Sequence, residues 1–152
     1  VCVDADGASL SQALVARPDL IKPNIHELNR LLASHYLADA PWPLLQAACR
    51  RLLQRGPRAV LLSLGQRGAL YVSRSSSYYG LAPKVAVRNT VGAGDSLLAG
   101  FIYGNTRKLS LGQSLAWGLA CAAATVQSSG TRLCDQQDAL SLLVHCKIVK
   151  IT

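Results

Sequence analysis

One stretch, Asn89-Thr90-Val91-Gly92-Ala93-Gly94-Asp95-Ser96, carries residue types able to bind and move a phosphoryl group. The apolar run after it predicts a helix from Gly94 to Tyr103. The backbone N–H groups of Gly92, Ala93 and Gly94 would then sit unpaired at a helix N-terminus. Phosphate oxygens bind in such places, where the helix dipole adds roughly 0.3 to 2 kcal/mol to direct hydrogen bonds. The glycines let the backbone approach an anion with no Cβ in the way. A carboxylate there would be repelled by bound phosphate unless it had a task. Asp95 could take the proton of a hydroxyl whose oxygen attacks a γ-phosphoryl group. It could equally do no more than cap the helix that continues from Ser96.

Two further stretches have comparable chemistry. In Leu20-Ile21-Lys22-Pro23-Asn24-Ile25-His26-Glu27-Leu28, Asn24 and Glu27 lie one helical turn apart and can face one pocket. Glu27 suits Mg²⁺ through water, because that ion keeps most of its hydration shell. Lys22 offers a compact positive charge to phosphates. An ordinary capping box accounts for Asn24 and Glu27 as well. His26 reads as a helix-surface residue. In Ser63-Leu64-Gly65-Gln66-Arg67-Gly68, two glycines frame a turn beyond the carboxyl end of an apolar run, where ligands of open α/β sheets bind. It is neither a G-x-G-x-x-G fingerprint nor a Walker A loop, which disfavours a dinucleotide site.

The elements that must position these residues follow from periodicity and punctuation. Strands are predicted at Val1–Val3, Leu20–Ile21, Ala59–Leu62, Ala69–Ser73, Tyr78–Leu81, Val85–Val87 and Cys146–Ile151. Helices are predicted over Ala8–Ala16, Ile25–Ala33, Leu44–Arg55, Gly94–Tyr103, Leu111–Val126 and Asp138–Val144. Ala59–Leu62 is continuously apolar, the pattern of a strand buried on both faces of a parallel sheet. Strands interleaved with helices give a doubly wound α/β sheet. The chain has no Met and opens in Val1-Cys2-Val3, which reads as the end of a buried strand, so it is expected to begin within a fold.

Composition narrows the classes. Half of the 152 residues are hydrophobic, which excludes disorder and allows a sizeable core. Sixteen Lys and Arg against eight Asp and Glu give a net charge of +8, favouring anionic partners. Arg50, Arg51 and Arg55 share one helix face, a patch without the basic-aromatic interleaving of a nucleic-acid reader. Five widely spaced cysteines support neither a zinc site nor a disulfide framework, and are expected to be free and mostly buried, as in a reducing cytosol. Leu111–Val126 is short for a membrane span and contains Gln113, Ser114 and Gly118.

In order, Ile21-Lys22-Pro23-Asn24-x-x-Glu27-Leu28, Ser63-Leu64-Gly65-x-x-Gly68-Ala69 and Asn89-Thr90-Val91-Gly92-Ala93-Gly94-Asp95-Ser96 resemble the PfkB/ribokinase family of carbohydrate kinases. The resemblance runs over essentially the whole chain. Gly130-Thr131-Arg132-Leu133-Cys134 is similar to the 6-phosphofructokinase isozyme 2 branch, beside 1-phosphofructokinase and tagatose-6-phosphate kinase.

The resemblance implies a ribokinase-like, doubly wound, mostly parallel sheet flanked by helices. Residues 1–152 would be the C-terminal nucleotide-binding and catalytic part of one domain, without its N-terminal sugar-binding half and lid. Asp95 would be the catalytic base and Gly92, Ala93 and Gly94 the anion hole. Lys22 and Asn24 would contact ATP phosphates, and Glu27 would organise Mg²⁺ through water. Ser63, Gly65 and Gly68 would line the nucleotide site, with adenine against the helix holding Ala120, Ala123 and Ala124; plain helix packing is the other reading of those alanines. Asn89, Val91, Ser128 and Gly130 match a region that binds K⁺ in some members. Asn89 and Ser128 depart from the closest branch there, and Arg132 is itself a cation.

The acceptor would be fructose 6-phosphate, fructose 1-phosphate or tagatose 6-phosphate. No nucleic-acid or membrane partner is implied; the full-length protein would be a cytoplasmic homodimer and this chain alone inactive. Another sugar or nucleoside kinase of the family, a nucleotide-binding module without catalysis, and a basic nucleic-acid binder are the competing classes.

Overall fold

The computed structural model describes residues 1–129 and 133–151. Among them are six strands: β1 (Cys2–Val3), β2 (Leu20–Ile21), β3 (Ala59–Ser63), β4 (Ala69–Ser73), β5 (Ser77–Leu81) and β6 (Lys147–Ile151). They form one mixed sheet in that order. β1 and β2 run parallel, as do β2 and β3, whereas β3 and β4 are antiparallel. The helices are α1 (Gly7–Val15), α2 (Ile25–Leu32), α3 (Trp42–Leu53), α4 (Ala93–Thr106), α5 (Leu111–Gln127) and α6 (Gln136–Leu143). The chain divides into two compact units, Val1–Tyr79 with the residues from Lys150 onward, and Gly80–Val149.

The first unit is built on local signals that agree with its packing. Asp6 caps α1 by accepting from the Gly7 N–H, and Leu10 and Leu14, one turn apart, are its buried stripe. α2 begins in a complete Asn24/Glu27 capping box and stops at Ala33, whose left-handed backbone (φ 48°) cannot continue it. α3 starts two residues before the predicted Leu44, because Pro43 fits a first turn, where its missing N–H costs nothing. Four of five residues in both β3 and β4 are buried. Ile21, Leu28, Leu45, Leu52, Leu62 and Leu70 belong to one core cluster. β3 is buried as expected, with a parallel neighbour on one side and an antiparallel one on the other.

The second unit rests on a close crossing of α4 and α5. A Cβ placed on Gly100 would stand 2.7 Å from the Trp117 carbonyl oxygen, and one on Gly118 would stand 2.6 Å from that of Leu97. One on Gly104 would meet Ser114 Cα at 2.6 Å. These glycines lower helix propensity by about 1 kcal/mol each, and let two backbones touch.

Three expectations need correction. Val85–Val87 is not a strand: Ala86 and Val87 are exposed, and the next two N–H groups, of Arg88 and Asn89, donate to Val126 O of α5. With those N–H groups held by a helix end, the segment pairs with no strand among the described residues. Val1–Val3 is not a buried strand, since Val1 and Cys2 are exposed; β1 is the first strand in the sheet order, with a neighbour on one side. All five cysteines are free, yet Cys49 alone is fully buried; Cys2 is exposed and Cys121, Cys134 and Cys146 are half-buried.

Candidate active site

In the first unit the structure brings Lys22, Asn24, Glu27, Ser63, Gly65 and Gly68 onto neighbouring segments. Asn24 and Ser63 form a parallel β-bridge, and the Ser63 N–H donates to Pro23 O at 3.0 Å. The Asn24 side-chain oxygen accepts from the N–H groups of His26 and Glu27 at 2.9 and 3.0 Å. The Glu27 carboxylate accepts from Asn24 N at 2.9 Å and from Asn24 Nδ2 at 2.8 Å. Both oxygens are therefore held, and each keeps a lone pair for another donor. His26 is exposed, as a helix-surface residue should be.

Lys22 is not free. It is 7% exposed, and its Nζ lies 3.0 Å from Asp4 Oδ2. A buried ammonium needs such a partner, which explains Asp4 at the entry to this unit.

The turn after β3 contains a short 3₁₀ segment, Gly65–Arg67, with Gly65 at φ 59° and Gly68 at φ 115°. Arg67 holds it in place: its Nη1 donates to Ala38 O and Ala40 O at 2.7 and 2.6 Å. Its guanidinium also lies over the Trp42 ring, and Trp42 stacks on Tyr79 at 4.5 Å. Along the sequence Arg67 is a variable position between two glycines; the available signal was an Arg downstream of a Trp, which the fold leaves half-buried.

In the second unit, Gly92 is the N-cap of α4 at φ 78°, with Ala93, Gly94 and Asp95 in the first turn. Side chains cap four helices among the described residues: Asp6 on α1, Asn24 on α2, Ser110 on α5 and Asp135 on α6. No side chain caps α4 and Asp95 is exposed, but, against expectation, the first turn is not wholly unpaired: the Ala93 N–H donates to Thr90 O at 3.3 Å. Behind this turn, buried Thr125 of α5 donates to Ser96 Oγ at 2.7 Å and accepts from Cys134 N at 3.1 Å.

Asn89 Oδ1 accepts from Val91 N at 3.0 Å, and Ser128 Oγ donates to Ala124 O at 3.2 Å. Ala120, Ala123 and Ala124 are all buried, at 0, 5 and 1% exposure. Of the three, Ala124 lines a cavity of about 390 Å³, with Ala86, Arg88, Gln127, Ser128, Ser129 and Asp138. Gly130 and Arg132 lie outside the described residues.

Residues 1–138 match the pfkB family carbohydrate kinase family. The chain belongs to that family. It is 31% identical over 150 residues to the 1-phosphofructokinase of Borreliella burgdorferi, covering 98% of this chain and 47% of that protein. Among solved structures it resembles Escherichia coli phosphofructokinase-2 in complex with potassium, with a TM-score of 0.85 at 30% identity, over 94% of this chain and 46% of that one. Arabidopsis thaliana ribokinase complexed with ribose and ATP superposes with a TM-score of 0.81 at 25% identity, over 94% of this chain and 47% of that one. This pfkB-family chain thus has a ribokinase-like fold and spans about half the length of the relatives it matches.

Within this kinase family frame, the three motifs divide between the two units. The first unit carries the Lys22–Glu27 and Ser63–Gly68 segments, and the second carries Asn89–Ser96 and the alanine-rich helix α5. Among the described residues no helix is long and apolar enough to cross a membrane, and no group of three or more His, Cys, Asp or Glu is placed to hold a metal ion.

Proposed function

We propose that this chain carries the nucleotide-binding and phosphoryl-transfer residues of an ATP-dependent kinase for a phosphorylated ketohexose: fructose 6-phosphate, fructose 1-phosphate or tagatose 6-phosphate. The observation that carries the reading is the start of α4. A glycine in the left-handed conformation opens a helix with no side-chain cap, and an exposed carboxylate stands at the third position. α3 also starts without a side-chain cap, but it opens on prolines and has no acidic residue in its first turn, whereas α4 pairs a left-handed glycine with a carboxylate.

In this reading Asp95 accepts the proton of the acceptor hydroxyl as its oxygen attacks, and the N–H groups of Gly92, Ala93 and Gly94 offset the charge on the transferring group, that of Ala93 by exchanging its long 3.3 Å bond to Thr90 O for the anion. ATP, when bound, supplies the γ-phosphoryl group. Ser63, Gly65 and Gly68 shape its turn, Asn24 donates to its phosphates, and Lys22 reaches them from its pairing with Asp4. Glu27 fits Mg²⁺ through water, because both carboxylate oxygens are fixed by Asn24 and retain lone pairs. Ala124 contributes to the adenine wall from the cavity it lines. Asn89 Oδ1 accepts from Val91 N and keeps a second lone pair, and the reading routes no step through potassium.

The chain alone is proposed to be inactive, since phosphoryl transfer depends on positioning the acceptor as well as the donor. A cytoplasmic homodimer is proposed for the full-length protein, to be checked by light scattering. The test of the reading is ADP release by the longest natural polypeptide that contains this chain, with each of the three sugar phosphates. Asp95→Asn is expected to lower kcat by roughly two to four orders of magnitude with little change in the KM for ATP. Unchanged turnover in that variant would overturn the assignment of Asp95.

A further inference from the structure

Thr125 is buried at 2% exposure on α5, and its single hydroxyl makes two hydrogen bonds of opposite sense. It donates to Ser96 Oγ at 2.7 Å and accepts from Cys134 N at 3.1 Å. With one proton and two directed partners, the hydroxyl has one orientation that satisfies both. Ser96 follows Asp95 in the first turn of α4. The Thr125 methyl stands 3.9 Å from where a Cβ on Gly92 would lie, and Leu133, next to Cys134, comes within 2.8 Å of the same point. One side chain therefore bonds the residue after the carboxylate and the Cys134 backbone, with its methyl close to the glycine that opens the helix.

We propose that Thr125 is a positioning residue for the Gly92–Asp95 turn, a role that rests on the reading of that turn given above. α5 is already fixed against α4 by the Gly100 and Gly118 contacts, so its backbone supplies a rigid base. From that base the hydroxyl sets where Ser96 sits, and with it the direction of the first-turn N–H groups and of the Asp95 carboxylate. The methyl lies beside the space next to Gly92 that Leu133 fills. Valine keeps the shape and removes both hydrogen bonds, whereas serine keeps both bonds and removes only the methyl.

The experiment uses the longest natural polypeptide containing this chain and the ketohexose phosphate it turns over. Thr125→Val is expected to lower kcat by roughly tenfold to a hundredfold, with the KM values for ATP and sugar phosphate little changed. Thr125→Ser is expected to recover most of that loss. Leu115→Val, a core change on the same helix, should cost stability and leave kcat at the wild-type level where all variants are folded. Should Thr125→Val not fold, Ser96→Ala removes the same bond from its other end and is expected to reproduce the loss in kcat.

Wild-type kcat in Thr125→Val, while Asp95→Asn abolishes turnover, would overturn this proposal and leave the kinase reading standing. Equal losses in Thr125→Val and Leu115→Val would overturn it too, because the role would then be general packing. If Asp95→Asn leaves turnover intact, the reading of the turn fails first and this proposal with it.

Discussion

The Arg67 guanidinium carbon stands 3.8 Å from the centroid of the Trp42 ring, so the turn after β3 is bound to the start of α3 by charge and by ring. The same side chain donates to the carbonyls of Ala38 and Ala40, two residues in the loop that leads to α3. Arg67→Ala is expected to destabilise the protein by about 2 kcal/mol, combining the lost cation–π contact with two unpartnered carbonyls. Arg67→Lys should recover only part of it, since an ammonium lacks the planar fork and stacks less well. Urea denaturation of the three proteins checks this; an alanine variant as stable as wild type would contradict it.

Two glycines of the second unit should fail for different reasons when given a Cβ. At Gly100 the new atom meets α5 backbone, and Gly100→Ala should cost about 1–3 kcal/mol by forcing the helices apart. At Gly92 the nearest atom is the flexible end of Leu133, while the backbone at φ 78° costs an L-residue about 1–2 kcal/mol. Leu133→Ala in the Gly92→Ala background is therefore expected to restore only the steric part. Thermal or urea melts of the single and double variants separate the two terms, and complete rescue would rule out the backbone term.

The Arg30 guanidinium beside Asp6, with the Gly7 N–H second, holds the Asp6 carboxyl below its ordinary value of 3.8. A carboxylate whose folded pKa lies below its unfolded one adds stability above the unfolded value and loses it as pH falls through the folded value. Comparing wild type with Arg30→Gln by urea melts from pH 6 down to pH 2, the gap should be present at pH 6 and fade below about pH 4. A gap that stayed constant across that range would remove the carboxylate from the explanation.

Thiol reactivity should follow exposure and burial. Burial pushes the Cys49 thiol far up and that of Cys121 up to about 12, with the neighbouring Cys134 adding to the latter. Burial raises Cys146 to about 11. Because the thiolate is the nucleophile, iodoacetamide at pH 8 should label exposed Cys2 first and leave Cys49 untouched until the protein unfolds. Peptide mass spectrometry reads the order, and rapid native labelling of Cys49 would contradict the packing of α3.

Much of this was legible along the chain because the deciding interactions are short. The Asn24/Glu27 box closes over three residues, and the burial of Ala59–Ser63 follows from its own apolar run. Gly92 through Asp95 were recognisable as a helix start from the apolar stretch they precede. Val85–Val87 misled because three β-favouring residues hold no information about whether a partner strand or a helix end will take their neighbours' N–H groups. The paired positions Gly100 and Gly104 carried a small-residue spacing suited to close helix contact. Whether a helix would come to fill it depended on the rest of the fold.

The sequence by itself determined the Asn24/Glu27 cap, the order of strands and helices apart from Val85–Val87, and the three motifs that place the chain among the pfkB-family kinases. Those depend on contacts within a few residues and on side-chain period. Only the tertiary structure decided that Lys22 would be paired with Asp4, that Arg67 would brace a loop 27 and 29 residues upstream, and that Thr125 would stand behind the Gly92 turn from 29 residues beyond Ser96. Partners that far apart meet through packing, which no local pattern encodes.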